Sequence, residues 1–182
     1  MESRGITMAW KKWGVLFVIY AAFYAWYFGF PSKKIDPSEA DSIIESIKKG
    51  SGQVLTPEKE DWFRKFIEED DGKDFIMVNL MLYNEPRQEN EKLMSKMYAL
   101  PFLWKLAQRA GHPIIMSGSL YSAVAYWGLD PGAEEWHSFA AVRYRSRRDV
   151  LEMVSWEGFA EAHPYKEQAL AKTIAIPAHG WG

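Results

Sequence analysis

The longest apolar stretch of the chain runs from residue 13 to residue 30 and contains no charged residue. Paired lysines flank it on both sides. A helix rises about 1.5 Å per residue, so this stretch would span roughly 27 Å, close to the hydrocarbon thickness of a bilayer. The pattern therefore predicts a transmembrane helix over residues 13–31, preceded by an N-terminal tail of residues 1–12.

Aromatic side chains crowd this segment, and those near its ends suit the two interfaces of a membrane. We interpret five of them as membrane-anchoring residues: Trp13, Tyr20, Trp26, Tyr27 and Phe30. A cleaved signal peptide and a buried helix of a soluble domain are the alternatives. The signal peptide fits less well because its apolar region is usually shorter and ends in a small-residue cleavage site, which residues 28–32 do not provide.

Helical and strand periods alternate along the rest of the chain. Residues 32–54 predict a linker with an amphipathic helix, which begins at a capping box formed by Asp36 and Glu39 and ends at Gly50. A second helix follows Thr56-Pro57 and opens a single domain of residues 55–182. After it, the periods predict strand, helix, two strands, helix and strand, at 75–82, 89–109, 113–126, 137–144, 147–170 and 173–177.

This β-α-β-β-α-β order is typical of the ferredoxin-like fold, in which both helices cover one face of an antiparallel sheet. The prediction is therefore an α+β protein: a ferredoxin-like βαββαβ domain preceded by two helices and one transmembrane helix. The other sheet face would stay apolar, and a second copy of the chain is the commonest way to cover it.

Composition excludes several classes of chemistry. The chain has no cysteine, which rules out disulfides, thiolate nucleophiles and cysteine-based metal sites. From residue 35 onward, 17 basic residues face 23 acidic ones. A nucleic-acid partner needs a basic surface, so we expect none. No pair of histidines has metal-ligand spacing, and we predict no metal site.

Three segments resemble an uncharacterised bacterial family within the dimeric α+β barrel superfamily: Met77–Leu80, Ala141–Arg147 and Met153–His163. The resemblance extends over roughly Leu55 to Ala178 and implies a sheet that closes face to face with a second one. The superfamily includes haem-degrading and quinone-forming monooxygenases, peroxidases, isomerases and ligand binders. A shared fold does not transfer a function, so the resemblance leaves the reaction open.

One branch of that superfamily can be compared residue by residue. Haem-degrading members build their pocket from an Asn on the first strand, a Trp near the end of the third strand and a His closing a Phe-x-x-Ala-His segment. The resemblance assigns Asn79 to the first position and His163 to the last, but Tyr144 stands where the Trp belongs. We therefore predict no cofactor, with haem or quinone as the candidates if one is bound.

Four residues are the candidate ligand-binding side chains: Asn79, Arg143, Tyr144 and His163. Asn79 interrupts an apolar strand and must line a pocket or bond to a neighbouring strand or a dimer mate, because a buried amide without partners costs roughly 1–3 kcal/mol. Arg143 and Tyr144 point to opposite faces of their strand, so only one can enter a pocket. His163 is a candidate ligand or base, and its alternative role is to cap the end of its helix.

Two hypotheses for function follow from these features. The first is a membrane-anchored binding or assembly module, an accessory subunit whose partners are the lipid bilayer and either other membrane protein subunits or a second copy of itself. The second is a membrane-tethered monooxygenase or oxidoreductase with Asn79, Tyr144 and His163 as catalytic candidates. Either would lie in the bacterial cytoplasmic membrane as a single-pass protein, with the domain on the extracytoplasmic side.

Overall fold

Four strands in the described part of the chain form one antiparallel sheet. A computed structural model describes residues 3–29, 34–51, 55–118, 120 and 135–179. The strands are β1 (Phe75–Tyr83), β2 (His112–Ser117), β3 (Ser138–Tyr144) and β4 (Leu170–Ala178), in the spatial order β2-β3-β1-β4. The long apolar β1 pairs with β3 on one side and β4 on the other, so it is a central strand of the sheet.

Alternation along the strands gives the sheet an inner face, which packs on helices, and an outer face. Phe75, Met77 and Met81 of β1 are buried on the inner face, level with Val142 and Tyr144 of β3. The residues between them, including Ile76 and Arg143, point to the outer face. The sheet therefore places consecutive residues of β3 in different environments.

Two short helices precede the sheet: α2 (Ala40–Ser51) and α3 (Pro57–Glu68). A 3-10 turn, Pro37–Glu39, leads into α2, and the capping box predicted at Asp36 and Glu39 is present. Thr56 caps α3, whose first residue is Pro57. The end of α2 approaches the backbone of Ser155 so closely that only a glycine fits at position 50.

Helical segments on the inner face connect the strands. Between β1 and β2 lie α4 (Arg87–Met94), a π-helical turn (Ser95–Ala99) and α5 (Leu100–Ala107). The expected effect of Pro101, to bend or split this helix, is confirmed: proline has no N–H to donate to the carbonyl four residues earlier. Between β3 and β4 lie α6 (Arg147–Val154) and α7 (Glu157–Ala169).

The first helix, α1 (Ser3–Phe28), is not the membrane-spanning helix that the sequence predicted. Within the described part of the chain, no helix is both long enough and apolar enough to span a membrane. The charge-free part of α1 runs from Trp13 to Phe28, roughly 24 Å of helix, which is shorter than a hydrocarbon core of about 30 Å. The prediction of a transmembrane helix and a single-pass membrane protein is therefore wrong.

The predicted anchoring residues have other surroundings in the structure. Trp13 and Tyr20 are exposed, and Phe30 lies outside the described residues. Trp26 and Tyr27 attach the last turn of α1 to the rest of the protein: the indole Nε1 of Trp26 donates to the carbonyl of Gln108 at 3.4 Å, and the Tyr27 hydroxyl lies 2.8 Å from Nε2 of His112. The end of α1 is thus part of the packed structure.

The predicted fold is wrong as stated. The α+β class is right, but the residues that the structure describes form a four-stranded antiparallel sheet with helices that include α1. They do not form a ferredoxin-like βαββαβ barrel domain preceded by a transmembrane helix. A barrel of the dimeric type requires a free outer sheet face. Here the last turn of α1 occupies one end of that face, where Tyr27 contacts Arg143. The sequence pattern carried no sign of this contact because its partners are more than a hundred residues apart.

Candidate ligand-binding cleft

A cleft lies between the inner sheet face and the helices that connect the strands. It consists of a head cavity of about 90 Å³ and an adjoining tail cavity of about 240 Å³. The head cavity contains the polar side chains of Asn79, Tyr98, Tyr144 and Lys166. Five residues line both cavities and form the passage between them: Met81, Met94, Ala99, Met116 and Ala140. Met116 is 58% exposed, so the cleft opens to solvent at the edge strand β2.

Small neighbours of Asn79 leave the space for the head cavity. Asn79 pairs with Ala140 on one side and Ala175 on the other, so no large side chain stands next to it on the inner face. Its amide nitrogen donates to the carbonyl of Met77 at 3.2 Å. A carboxamide has two N–H donors and one acceptor oxygen, so this bond leaves capacity for a ligand.

The π-helical turn forms the wall of the cleft opposite the sheet. Ser95 and Ala99 line it, and the ring of Tyr98 lies in the head cavity. A π turn inserts an extra residue into a helix and widens it locally, and such turns are frequent at functional sites. The sequence places a small residue and a tyrosine together at this turn, which opens space and supplies a polar group.

Two phenols in the head cavity remain protonated. Tyr144 is 6% exposed and stacks on Phe75 with ring centres 5.4 Å apart. Tyr98 stacks on Phe102 at 5.4 Å. Burial raises the pKa of both phenols above the ordinary value of 10.0. Both hydroxyls therefore act as hydrogen-bond donors at neutral pH, well suited to a ligand oxygen.

A lysine ends in the same cavity. Nζ of Lys166 lies 5.3 Å from the ring centre of Tyr98. Burial lowers the pKa of the Lys166 ammonium below its ordinary 10.5. Among the described residues no carboxylate comes within 4.0 Å of this ammonium group. Lys166 is half-buried. A cation removed from part of its water without an anionic partner is unfavourable, so the cavity favours an anionic or polar ligand, or the neutral amine.

The structure brings two of the four predicted site residues into the cleft, Asn79 and Tyr144. Arg143 points to the outer face and is 7% exposed. Its guanidinium donates to Asp74 at 2.8 Å and to the carbonyls of Ala110 and Tyr27 at 3.0 and 3.3 Å. These bonds join the sheet to the end of α1, which accounts for the burial of this arginine.

His163 lies one helical turn before Lys166 and outside the lining of both cavities. Its ring packs against Phe159 at 4.8 Å and Tyr98 at 6.1 Å, and Nδ1 is 3.6 Å from Oε1 of Glu167. Burial lowers the pKa of His163 below 6.5, so its ring is neutral at physiological pH. His163 therefore supports the wall behind Tyr98.

Lys166 was not predicted as a site residue, although the sequence contains a signal for it. Phe159, Ala162, Lys166 and Ala169 recur at helical spacing along α7, and the other three members of this series are buried. A lysine in an apolar helical stripe faces the interior of the protein. Such a lysine either extends along the apolar surface to place its charge in solvent or contributes to a binding site. Lys166 lines the head cavity, which favours a binding site.

Comparisons with known proteins support the fold alone. No protein-family model matches the chain, and no curated protein matches it. A crystal structure of RPA0582, a protein of unknown function from Rhodopseudomonas palustris, is similar with a TM-score of 0.55 and 18% sequence identity, over 71% of this chain and 96% of that chain. The structure of methylated RPA0582 gives a TM-score of 0.53 and 18% identity, over 71% and 94% of the two chains.

Proposed function

We propose that this protein binds a small amphiphilic organic molecule whose apolar body lies in the tail cavity and whose oxygen-bearing head lies in the head cavity. The observation that carries the proposal is the Lys166 ammonium in a cavity without an anionic partner among the described residues, beside two protonated phenols and the Asn79 amide. A carboxylate or carbonyl oxygen there would accept hydrogen bonds from several donors at once.

The passage between the cavities supports an apolar ligand body. Met81, Met94 and Met116 contribute flexible thioether side chains, which adapt their shape to what lies against them. The two volumes together fall at the lower end of the range of about 300–1,000 Å³ that is typical of ligand sites. A short alkyl chain with one polar end matches this size.

Titration calorimetry with octanoate tests the proposal. We expect binding to the wild type and binding at least about tenfold weaker in Lys166→Met, because a hydrogen bond to a charged group contributes about 1.5–3 kcal/mol. Lys105→Met is the matched control, since Lys105 also lies over an aromatic ring, that of Trp156, but lines neither cavity. Unchanged affinity in Lys166→Met, or equal losses in both variants, would contradict the proposal.

The oxidoreductase hypothesis stays a prediction and adds nothing to this proposal. A head cavity of about 90 Å³ is far smaller than the range of about 300–1,000 Å³ that is typical of ligand sites, and a haem would not fit it without movement of the helices. The assembly hypothesis also stays a prediction, without its membrane component. Its physical basis is the outer sheet face, where the side chains of Ile174 and Ile176 are exposed.

A further inference from the structure

The geometry of the head cavity points to a more specific chemistry: we infer that Lys166 forms a covalent imine with an aldehyde or ketone held in the cleft. This inference rests on the proposed function, since it requires that the cleft bind an amphiphile with its oxygen at Lys166. It names the ligand class, carbonyl compounds with a short apolar chain, and it gives Tyr98 and Tyr144 a role that plain binding does not require.

A lysine becomes a nucleophile when its amine is neutral and can approach a bound carbonyl. Burial beside the ring of Tyr98 favours the neutral amine because it removes water from the charged form, and it lowers the pKa of Lys166. The nitrogen lies against the face of Tyr98 in the same cavity as Asn79 and Tyr144. A carbonyl bound in this cavity would therefore lie beside both the amine and the hydrogen-bond donors.

The donors complete the reaction. The nitrogen attacks the carbonyl carbon, a C–N bond forms, and the electron pair of the C=O π bond moves to oxygen. A phenol hydroxyl gives its proton to that oxygen and takes one from the nitrogen. The C–O bond then breaks, the hydroxyl leaves as water with the second nitrogen proton, and the nitrogen lone pair forms the C=N bond. No oxidant or reductant is consumed, and protonated phenols are the form that this transfer requires.

The other lysines provide an internal comparison. Lys105 and Lys172 also lie over aromatic rings, each 4.9 Å from the ring centre of a tryptophan. Neither lines either of the two cavities of the cleft. If contact with an aromatic ring were enough to activate a lysine, all three would react alike. If the reactivity of a lysine depends on its position in the cavity, only Lys166 of these three reacts rapidly.

Reductive trapping tests the inference. The full-length protein is incubated with octanal and sodium cyanoborohydride near neutral pH, and the intact mass and its peptides are measured. We expect a mass gain equal to that of the aldehyde less one oxygen atom, located on Lys166, at a rate on the order of tenfold above that of Lys105 or Lys172. Lys166→Arg keeps the cation and loses the nucleophile, so it should form no rapid adduct.

The outcomes separate this inference from the proposed function. Octanoate binding that depends on Lys166, together with octanal labelling no faster at Lys166 than at Lys105, would overturn the imine and leave the binding function standing. If octanoate binding does not depend on Lys166 and octanal labelling is no faster there than at Lys105, both the imine and the binding function are overturned. Rapid labelling that persists in Ala140→Val, in which the passage between the cavities is narrowed, would also overturn the inference, because it would show that Lys166 reacts without using the cleft.

Discussion

Replacement of Ala140 by valine fills the cleft where its two cavities meet. Ala140 is 7% exposed, lies on the inner face of β3 and lines both cavities. Valine adds two methyl groups at a strand position, where a branched side chain is favoured. Each buried methylene-sized group contributes about 0.8 kcal/mol, so the unfolding free energy should rise by up to about 1.6 kcal/mol. For a chain of this length that corresponds to a Tm increase of roughly 3–6 °C.

The same change should weaken ligand binding. We expect octanoate affinity to fall at least about tenfold, because the added methyl groups occupy the passage that the ligand body needs. Thermal unfolding followed by circular dichroism gives Tm, and titration calorimetry gives the affinity. Ala141→Val is the matched control: it adds the same two methyl groups to the next residue, which is 8% exposed and on the outer face.

Two results would refute the reasoning. Destabilisation of Ala140→Val by about 1–3 kcal/mol, the usual cost of overpacking, would show that the cleft has no free space at this point. Octanoate affinity that is unchanged in Ala140→Val, or reduced equally in Ala141→Val, would show that ligand binding does not depend on this passage.

Three further predictions concern charged and titratable groups. Arg143→Gln should lower the unfolding free energy by about 1.5–3 kcal/mol and speed amide exchange in the last turn of α1, because the bond to the Tyr27 carbonyl is lost; unchanged exchange there would contradict it. Lys166→Met should stabilise the protein at neutral pH. The stability gain of the variant over the wild type should shrink as pH rises toward 10.5. Above the lowered pKa of Lys166 the folded wild type has lost this proton while the unfolded chain still binds it, so the wild type becomes more stable as pH rises. Urea midpoints with no such trend would contradict this. Burial also lowers the pKa of His163, so between pH 6.5 and that lowered pKa the unfolded chain binds a proton that the folded protein does not. Acidification through this range should therefore destabilise the wild type more than His163→Gln, and equal decreases in their urea midpoints would contradict this.

Local features of the fold could be predicted where they depend on neighbouring residues. The capping box of Asp36 and Glu39 and the interruption at Pro101 follow from short-range hydrogen bonding, and both are present. Strand ends were predicted less well: the last strand was predicted at 173–177 and extends over Leu170–Ala178, because it pairs along most of the length of β1. The third predicted segment, 113–126, is a strand over His112–Ser117, and most of its remainder lies outside the described residues.

The first helix shows why an apolar pattern alone is insufficient. The charge-free stretch of α1 is a property of sequence, but its final turn is held by Arg143 and Arg145, more than a hundred residues later in the chain. Both arginines donate to carbonyls of the last helical turn, where such groups have no partners within the helix. No periodicity reveals a contact of that kind.

The candidate site was predictable in part. Asn79 was expected either to line a pocket or to bond to a neighbouring strand or a dimer mate. It lines the head cavity, and its internal bond goes to the carbonyl of Met77 in its own strand. The sequence left open whether Arg143 or Tyr144 enters a pocket. The cavity lies on the helix side of the sheet, where Tyr144 lines it and Lys166 reaches it from α7. His163 and Lys166 are three residues apart, and only the packing of α7 on Tyr98 decides which of them enters the cavity.

Methionine methyl resonances test the central claim most directly. The chain contains eight methionines, of which Met81, Met94 and Met116 line the passage of the cleft, whereas Met77 and Met153 are buried and line neither cavity. With ¹³C-methyl methionine labelling and octanoate titration, we expect the resonances of the three passage residues to shift together and saturate, with those of Met77 and Met153 unchanged. Saturable binding that leaves these three resonances in place would place the ligand elsewhere and contradict the account.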